Sequence, residues 1–364
     1  MTTVVKIGSS SLTRADGYLD LNRIDWVSRV LAGVLLGDAA AGRAPEPVVL
    51  VSSGAISAGS LPLGRVERPR DLATAQAVAA VGQGLLMARW TEAMSWHRVV
   101  AAQVLLSASE ASAHLQYTNA SRALGKLLGL GVIPIVNEND AVATDEIRFG
   151  DNDRLAAIVS HMVKARRLIL CTDVDGLYTA KPGTPGARLI SEVRGPGDLA
   201  GVDIGGSGSR WGTGGMETKL LAAQTAAANG TEVVLTSTDN LGAALAGAGG
   251  VARVGTTFRV TGPRRGIKQL WLAYAASSQG RLVLDAGAAQ AITVGKKSLL
   301  AAGITQVEGQ FAAGDIVEMC DTSGEVLAKG VSSYSAAQIS ALLQGKGDAP
   351  IPVVHRDHLA EIRY

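Results

Sequence analysis

Cysteine is almost missing from this chain, with two in 364 residues. Cys171 and Cys320 stand far apart inside apolar, strand-like runs. That excludes a disulfide framework and predicts two reduced, buried thiols suited to the cytoplasm. Aromatic residues make up only 4% of the chain, so a core must be assembled from Ala, Val, Leu and Ile. The first residues, Met-Thr-Thr-Val-Val-Lys, lack a basic segment followed by a long apolar one, so no signal peptide is expected. The apolar runs fall well short of the ~20 residues that a membrane-spanning helix needs, so no membrane partner is expected. His97, His114 and His161 are scattered, and His355 and His358 read as ordinary tail residues, which argues against a zinc site. The nucleotide loop Gly-x-x-x-x-Gly-Lys-Ser/Thr occurs nowhere. Counting from Asp151, the calcium-loop positions that need Gly and Glu hold Ala156 and Met162. His355-Arg356-Asp357 imitates a protein-kinase triplet but is not followed by the rest of that motif.

What is present fits one large domain and a small one. Apolar residues make up 47% of the chain and charged residues 18%, the balance of a globular protein, and 44 glycines imply many tight turns and close approaches. The net charge of +2 is unevenly spread. Residues 1–258 carry 23 basic and 23 acidic groups, and residues 259–275 carry four basic groups and no acid. Residues 276–364 carry seven basic against nine acidic groups, a net of −2, which disfavours strong binding of RNA phosphates.

Short β-branched runs alternate with Ala/Leu-rich segments through the first two-thirds of the chain. Strands are expected at Val4–Ile7, Val48–Val51, Val99–Leu106, Val132–Val136, Leu168–Thr172 and Glu232–Thr236. Helices are expected around Ile24–Leu36, Leu72–Met94, Ser112–Leu130, Asp153–Val163 and Met216–Asn229. Continuous apolar strands between helices indicate an α/β fold with an open, mainly parallel sheet covered on both faces. The pattern changes after Phe258. Residues 259–275 read as a basic linker, and residues 276–364 as a small β-rich module with strands at Gly280–Leu284, Gln306–Gly309, Ile316–Met319 and Val326–Gly330.

Several strand ends carry chemistry. Lys6-Ile7-Gly8-Ser9-Ser10 offers amides, hydroxyls and one lysine as a phosphate cradle, although a lysine in a first strand is more often a snorkelling edge residue. Ser52-Ser53-Gly54 lets a ligand lie against the backbone, and a plain turn with a serine cap explains it equally well. Asp175-Gly176 reads as turn chemistry, whereas Thr172-Asp173 before it is not explained that way. Gly212-Thr213-Gly214-Gly215 opens an alanine-rich helix, with Lys219 one turn inside it, an arrangement that suits phosphate oxygens. The segment from Asn137 to Asp153 crowds acids and asparagines into one strand-to-helix connection, where open α/β sheets bind ligands.

Together, Val-Lys-Ile-Gly-Ser-Ser, Val-Ser-Ser-Gly-Ala-Ile-Ser-Ala-Gly, Val-Asn-Glu-Asn-Asp-Ala-Val-Ala-Thr, Gly-Asp-Asn-Asp, Thr-Asp-Val-Asp-Gly-Leu-Tyr and Gly-Thr-Gly-Gly-Met-x-Thr-Lys resemble the amino acid kinase family, in particular its glutamate-phosphorylating members. Residues 276–355 resemble a PUA domain, a small β-barrel, through Val283–Ala288, Ser298-Leu299-Leu300, Gly309-Gln310-Phe311 and Gly314-Asp315. The resemblance implies a cytoplasmic phosphotransferase that uses ATP with Mg²⁺, and no protein-held metal, to phosphorylate the γ-carboxylate of L-glutamate. That reaction is the first step of proline biosynthesis. It also implies feedback inhibition by proline and assembly into a homodimer or homotetramer. By the same resemblance Lys6 and Lys219 flank the phosphoryl group and Asp153 orients them. Ser53, Asp140 and Asn152 hold glutamate. Lys6, Gly8, Thr172, Asp173, Thr213, Gly214, Gly215, Met216, Glu217, Thr218 and Lys219 line the ATP site. The nearest rival is a kinase for acylated amino acids, which the Asp140/Asn152 pairing, suited to a free ammonium, disfavours. A protein that binds RNA through the small module is the alternative of another class.

Overall fold

The computed structural model describes all residues except 38–42, 65–68, 70, 107–113, 143–151, 200–201, 203–214, 247–253, 264–271, 273–277, 347 and 363–364, and the side chains of 114, 115 and 196. The chain divides into two compact units, one of Met1–Ala108 with Thr118–Arg264 and one of Ser109–Tyr117 with Arg265–Tyr364.

The first unit is built on strands β1 (Thr3–Ile7), β2 (Val48–Ser52), β3 (Ala101–Leu106), β4 (Ile133–Glu138), β5 (Arg167–Thr172), β6 (Glu192–Val193), β7 (Glu232–Ser237) and β8 (Thr256–Phe258). They form one sheet in the order β3-β4-β2-β1-β5-β7-β8-β6. All neighbours pair in parallel except β7 with β8. Every residue of β1, β2, β4 and β5 is buried, as expected of strands with helices on both faces. The helices are α1 (Ser9–Leu12), α2 (Leu21–Leu36), α3 (Ala55–Ser60), α4 (Leu72–Trp96), α5 (His114–Gly129), α6 (Asn152–Met162), α7 (Met216–Ala228) and α8 (Leu241–Ala246). Asp20 and Asp71 cap α2 and α4 by accepting from the amides of Arg23 and Thr74. Leu50, Leu31, Trp90, Met94 and Ile133 form part of the core between the sheet, α2 and α4.

Two features of this unit set its geometry. Between β2 and α3, Gly54 takes a φ of 113°, which a side chain would strain. Helices α3 and α4 meet backbone to backbone at Gly59 and Gly82. A Cβ on Gly82 would stand 1.8 Å from the Ala55 carbonyl oxygen, and one on Gly59 would stand 2.0 Å from the Val78 carbonyl oxygen.

Some expectations change. Val99 and Val100 precede β3 rather than belonging to it. The short strands β6 and β8 escape a pattern search because two or three residues carry no period. Tyr178 bridges Leu189 in an antiparallel sense. Gly176, however, does not have a positive φ. Its Cβ would lie 2.8 Å from the Thr256 hydroxyl oxygen, so the glycine serves close packing rather than a turn.

The second unit holds β9 (Gly280–Leu284), β10 (Ile304–Gly309), β11 (Ile316–Cys320), β12 (Val326–Ser332) and β13 (Val354–Glu361), in the sheet order β10-β9-β11-β12-β13. Leu282, Val317, Met319, Ile339 and Val354 belong to its core. Helices α9 (Ala286–Thr293) and α10 (Ala336–Leu343) cover it, and Ser335 with Gln338 forms a reciprocal capping box on α10. His355 and His358 lie in the edge strand β13 and are not tail residues. Four consecutive exposed residues, 355–358, hide that strand from a search for apolar alternation. Both cysteines are buried and free.

The helix contact predicts a contrast between two glycines. Gly82→Ala should cost at least about 3 kcal/mol by overpacking two backbones. Gly33→Ala, at an exposed position of α2 where no described atom lies within 4 Å of its Cβ, should gain about 0.5–1 kcal/mol. Thermal melts followed by circular dichroism read both signs, and a neutral Gly82→Ala would contradict the packing.

Candidate active site

The parallel register brings the carboxyl ends of five strands to one level. Ile7 pairs with Ser52, Lys6 with Leu170, Val51 with Val136, and Thr172 with Ser237. The chain leaves β1 for β2 on one side and later returns with β5 on the other, so the crevice above β1 is the topological switch point. Helix α6 joins β4 to β5 and packs across β1, β2, β4 and β5. Its first turn therefore lies above the central strand ends, with Asn152 and Asp153 buried there.

Asp153 is the focus of the first cluster. Its Oδ1 is 2.7 Å from Lys6 Nζ and its Oδ2 is 3.2 Å from Lys219 Nζ. Thr218 Oγ1 also donates to Oδ2 at 3.1 Å. Lys6 comes from central strand β1 and is 4% exposed, which rules out a snorkelling edge lysine. Burial alone would raise the Asp153 carboxyl, but the charges and hydrogen bonds of Lys6 and Lys219 hold it below its ordinary range. Burial, and then the charge of Lys6, push the Lys219 ammonium below the usual lysine range. Asp153 and Asp173 oppose that shift. Two ammonium groups gathered on one carboxylate in a largely dry site are suited to a phosphoryl group.

A second cluster adjoins the first through the helix turn. Asn152 Nδ2 donates to Ser53 Oγ at 2.9 Å and to Asn137 Oδ1 at 3.0 Å. Asn137 Nδ2 donates in turn to Gln83 Oε1 at 2.7 Å. Asn152 Oδ1 is buried without a hydrogen-bond partner among the described residues. A buried acceptor left open is costly, and it fits a ligand donor.

The other expected residues fall around these two clusters. A Cβ on Gly8 would lie 3.4 Å from Lys6 Nζ, so the bare backbone here leaves room beside the ammonium. Thr172 Oγ1 donates to the exposed Asp173 carboxylate at 2.9 Å, at the end of β5. Gly215 is the N-cap of α7 and has no side-chain cap of its own, while its carbonyl, 3.0 Å from Thr218 Oγ1, is the alternative acceptor for that single hydroxyl proton. Met216 and Glu217 begin α7, with Glu217 exposed. Asp140 opens the 3-10 turn Asp140–Val142 just past β4, half-buried. Thr213, Gly214 and the acids 145, 146 and 151 lie outside the described residues. Sequence reasoning did not single out Asn137 or Gln83 as site residues. Asn137 was visible within the Asn-Glu-Asn-Asp run. Gln83 offered only the faint signal of one polar residue three and seven positions before the buried Leu86 and Trp90.

Comparison with known proteins follows the same division. A family model described as the amino acid kinase family matches residues 1–237, and one described as the PUA domain matches residues 280–354. A protein of Streptomyces coelicolor named glutamate 5-kinase is 51% identical over 367 residues, covering 98% of this chain and 95% of that protein. A glutamate 5-kinase of Thermobifida fusca is 48% identical, covering 99% of this chain and 93% of that protein. Among solved structures, a carbamate kinase from Giardia lamblia bound to AMP-PNP overlaps 71% of this chain and 98% of its own, with 18% identity and a TM-score of 0.49.

The Asp153 cluster predicts a pH signature. A carboxyl depressed by folding contributes stability above its unfolded pKa of ~3.9 and loses it as pH falls through the folded value. Asp153→Asn should therefore cost about 3–5 kcal/mol near neutrality, because two buried ammonium groups lose their counter-charge. Urea midpoints taken from about pH 5.5 to about pH 3 should fall less steeply in the variant than in the parent. Parallel slopes would remove Asp153 from the linkage.

Proposed function

Because this chain belongs to the amino acid kinase family, we propose that it transfers the γ-phosphoryl group of Mg-ATP to the γ-carboxylate of L-glutamate. The products are L-glutamyl 5-phosphate and ADP, the first step toward proline. The observation that carries this reading is the pair of clusters on one helix turn: Asp153 between two buried lysines, and Asn152 with an open acceptor beside Ser53. Relatives of about half identity over nearly the full chain bear the corresponding name.

The chemistry asks little of acids and bases. A glutamate side chain with a pKa near ~4.3 is already ionised at neutral pH, so no general base is needed. One carboxylate oxygen forms a bond to the γ-phosphorus as the bond to the β,γ-bridging oxygen breaks, and ADP departs with Mg²⁺ as part of the nucleotide substrate. Catalysis then consists of bringing two anions together and neutralising the transferred group. In this reading Lys6 and Lys219 flank that group, and Asp153 holds both ammonium groups in place before it arrives. Gly8 admits the phosphates to the backbone amides of the β1–α1 turn. Ser53, Asn152 and Asp140 receive the amino acid, with Asp140 and the Asn152 carbonyl suited to its α-ammonium. Thr172, Asp173 and the segment from Thr213 to Lys219 line the nucleotide.

By this reading residues 1–258 carry both substrate sites, 259–275 connect, and 276–364 form the PUA-like part. Proline shares an ammonium and a carboxylate with glutamate, so the same recognition groups support competitive feedback inhibition. We also propose a homo-oligomeric, cytoplasmic enzyme. None of the described helices is long and apolar enough to cross a membrane.

Three measurements test the proposal. ADP release should depend on L-glutamate and fall when proline is added, and hydroxamate formation should favour glutamate over N-acetylglutamate and aspartate. Preference for the acetylated substrate would point to the rival kinase. Lys6→Ala should lower kcat by on the order of 100-fold or more, and near-normal turnover would refute its role. The depressed Lys219 ammonium should give an alkaline limb in kcat/KM below the usual lysine range. Lys219→Arg, which stays charged, should lose that limb while turning over more slowly.

A further inference from the structure

The hydrogen-bond chain beneath the amino-acid site ends on helix α4. Asn152 spends both Nδ2 protons, on Ser53 Oγ and on Asn137 Oδ1. Asn137 can present that oxygen because its own amide donates away from the site, to Gln83 Oε1. A side-chain amide has one donor end and one acceptor end, so the group terminating such a chain decides the direction of every link. With Gln83 accepting, Asn152 Oδ1 faces the site as an acceptor, buried and unpartnered among the described residues. With the terminal group donating, Asn137 would turn over and Asn152 would follow. An amide N–H would then meet the ligand, and it would repel an ammonium. The same helix pins the adjoining strand end two turns later. Trp90 Nε1 donates to Ser52 Oγ at 3.0 Å, and Ser52 Oγ donates to the Ser53 carbonyl at 3.0 Å. Helix α4 also packs on the turn that carries Asp140.

We propose that Gln83 is a positioning residue for the amino-acid substrate, fixing the polarity of the Asn137–Asn152 relay so that the Asn152 carbonyl accepts from the substrate α-ammonium. This inference rests on the glutamate-kinase reading above. Gln83 touches neither substrate and acts through two other side chains, so its signature is selective. Steady-state kinetics on three full-length variants separate the possibilities. Gln83→Glu keeps an acceptor and should leave KM for glutamate within about threefold of the parent. Gln83→Met, of similar length but without a polar end, should raise KM for glutamate on the order of tenfold. Its kcat and its KM for Mg-ATP should stay within about threefold. Gln83→Lys can only donate and should raise KM for glutamate further still.

Equal behaviour of the Glu and Lys variants would overturn the proposal, even if the Met variant failed to fold. So would a parallel rise of KM for glutamate and Mg-ATP, or an unchanged KM in Gln83→Met. A parent protein that did not turn over glutamate at all would instead defeat the functional reading, so the two failures are distinguishable.

Discussion

Two ammonium groups drawn from distant parts of the chain converge on the single carboxylate of Asp153. Each of these three charges is costly to remove from water. The cluster is therefore poor value as a stabilising device, since an apolar triad of similar volume would serve the fold at least as well. Two cations gathered on this carboxylate become useful when an anion enters. A site that keeps such charges buried has been shaped by its ligand. Everything around it, from the depressed Lys219 ammonium to the bare backbone at Gly8, follows from holding that cluster in a fixed place.

Fixing it requires rigid supports from three elements. Lys6 projects from the central strand, whose neighbours are themselves fully buried. Asp153 sits in the first turn of a helix that spans the sheet, where the positive end of the helix dipole also favours its charge. Lys219 and Thr218 enter from the first turn of α7. The close contact of Gly59 with Gly82 lets α3 and α4 meet without intervening side chains. Through Gln83 and Trp90, α4 then reaches the strand ends. Packing far from any substrate thus sets where the polar groups stand.

How much of this was legible in the sequence depended on range. The alternating strands and helices were, because buried parallel strands write continuous apolar runs and need no partner to be recognised. The residues at strand ends were partly legible: the crowding of acids and asparagines from Asn137 to Asp153 stood out, whereas a capped turn explained Ser52-Ser53-Gly54 equally well. Strand order was not. Nothing local distinguishes a lysine on an edge strand from one on a central strand, so its own motif left Lys6 closer to a snorkelling edge residue, and only the family resemblance set it beside the phosphoryl group. Gln83 was hidden for a related reason. Helix α4 is apolar nearly all round, so no periodicity reveals which face meets the site. Strand β13 was missed because its middle is polar and its pairing with β12 is bulged. Gly176 looked like turn chemistry, whereas its reason is the distant Thr256.

The adjacency of Asn152 and Asp153 links recognition to chemistry. Successive residues of a helix point about 100° apart, so one side chain faces Ser53 and Asn137 while the next faces the two lysines. Both directions are fixed by one buried helix turn, which leaves the distance between amino-acid recognition and phosphoryl neutralisation no freedom to adjust. On the proposed reading, a substrate held by its α-ammonium must present its carboxylate at a set reach. Aspartate, shorter by one carbon–carbon bond of about 1.5 Å, would be bound but held short of the phosphorus. A misplacement of about 1 Å can cost a hundredfold in rate. Binding energy for a single methylene would supply discrimination of similar size, about 1–3 kcal/mol. The two differ in where they show: on this reading selection by reach lies in kcat more than in affinity, because it comes from the rigidity of α6 and needs no group that touches the extra methylene.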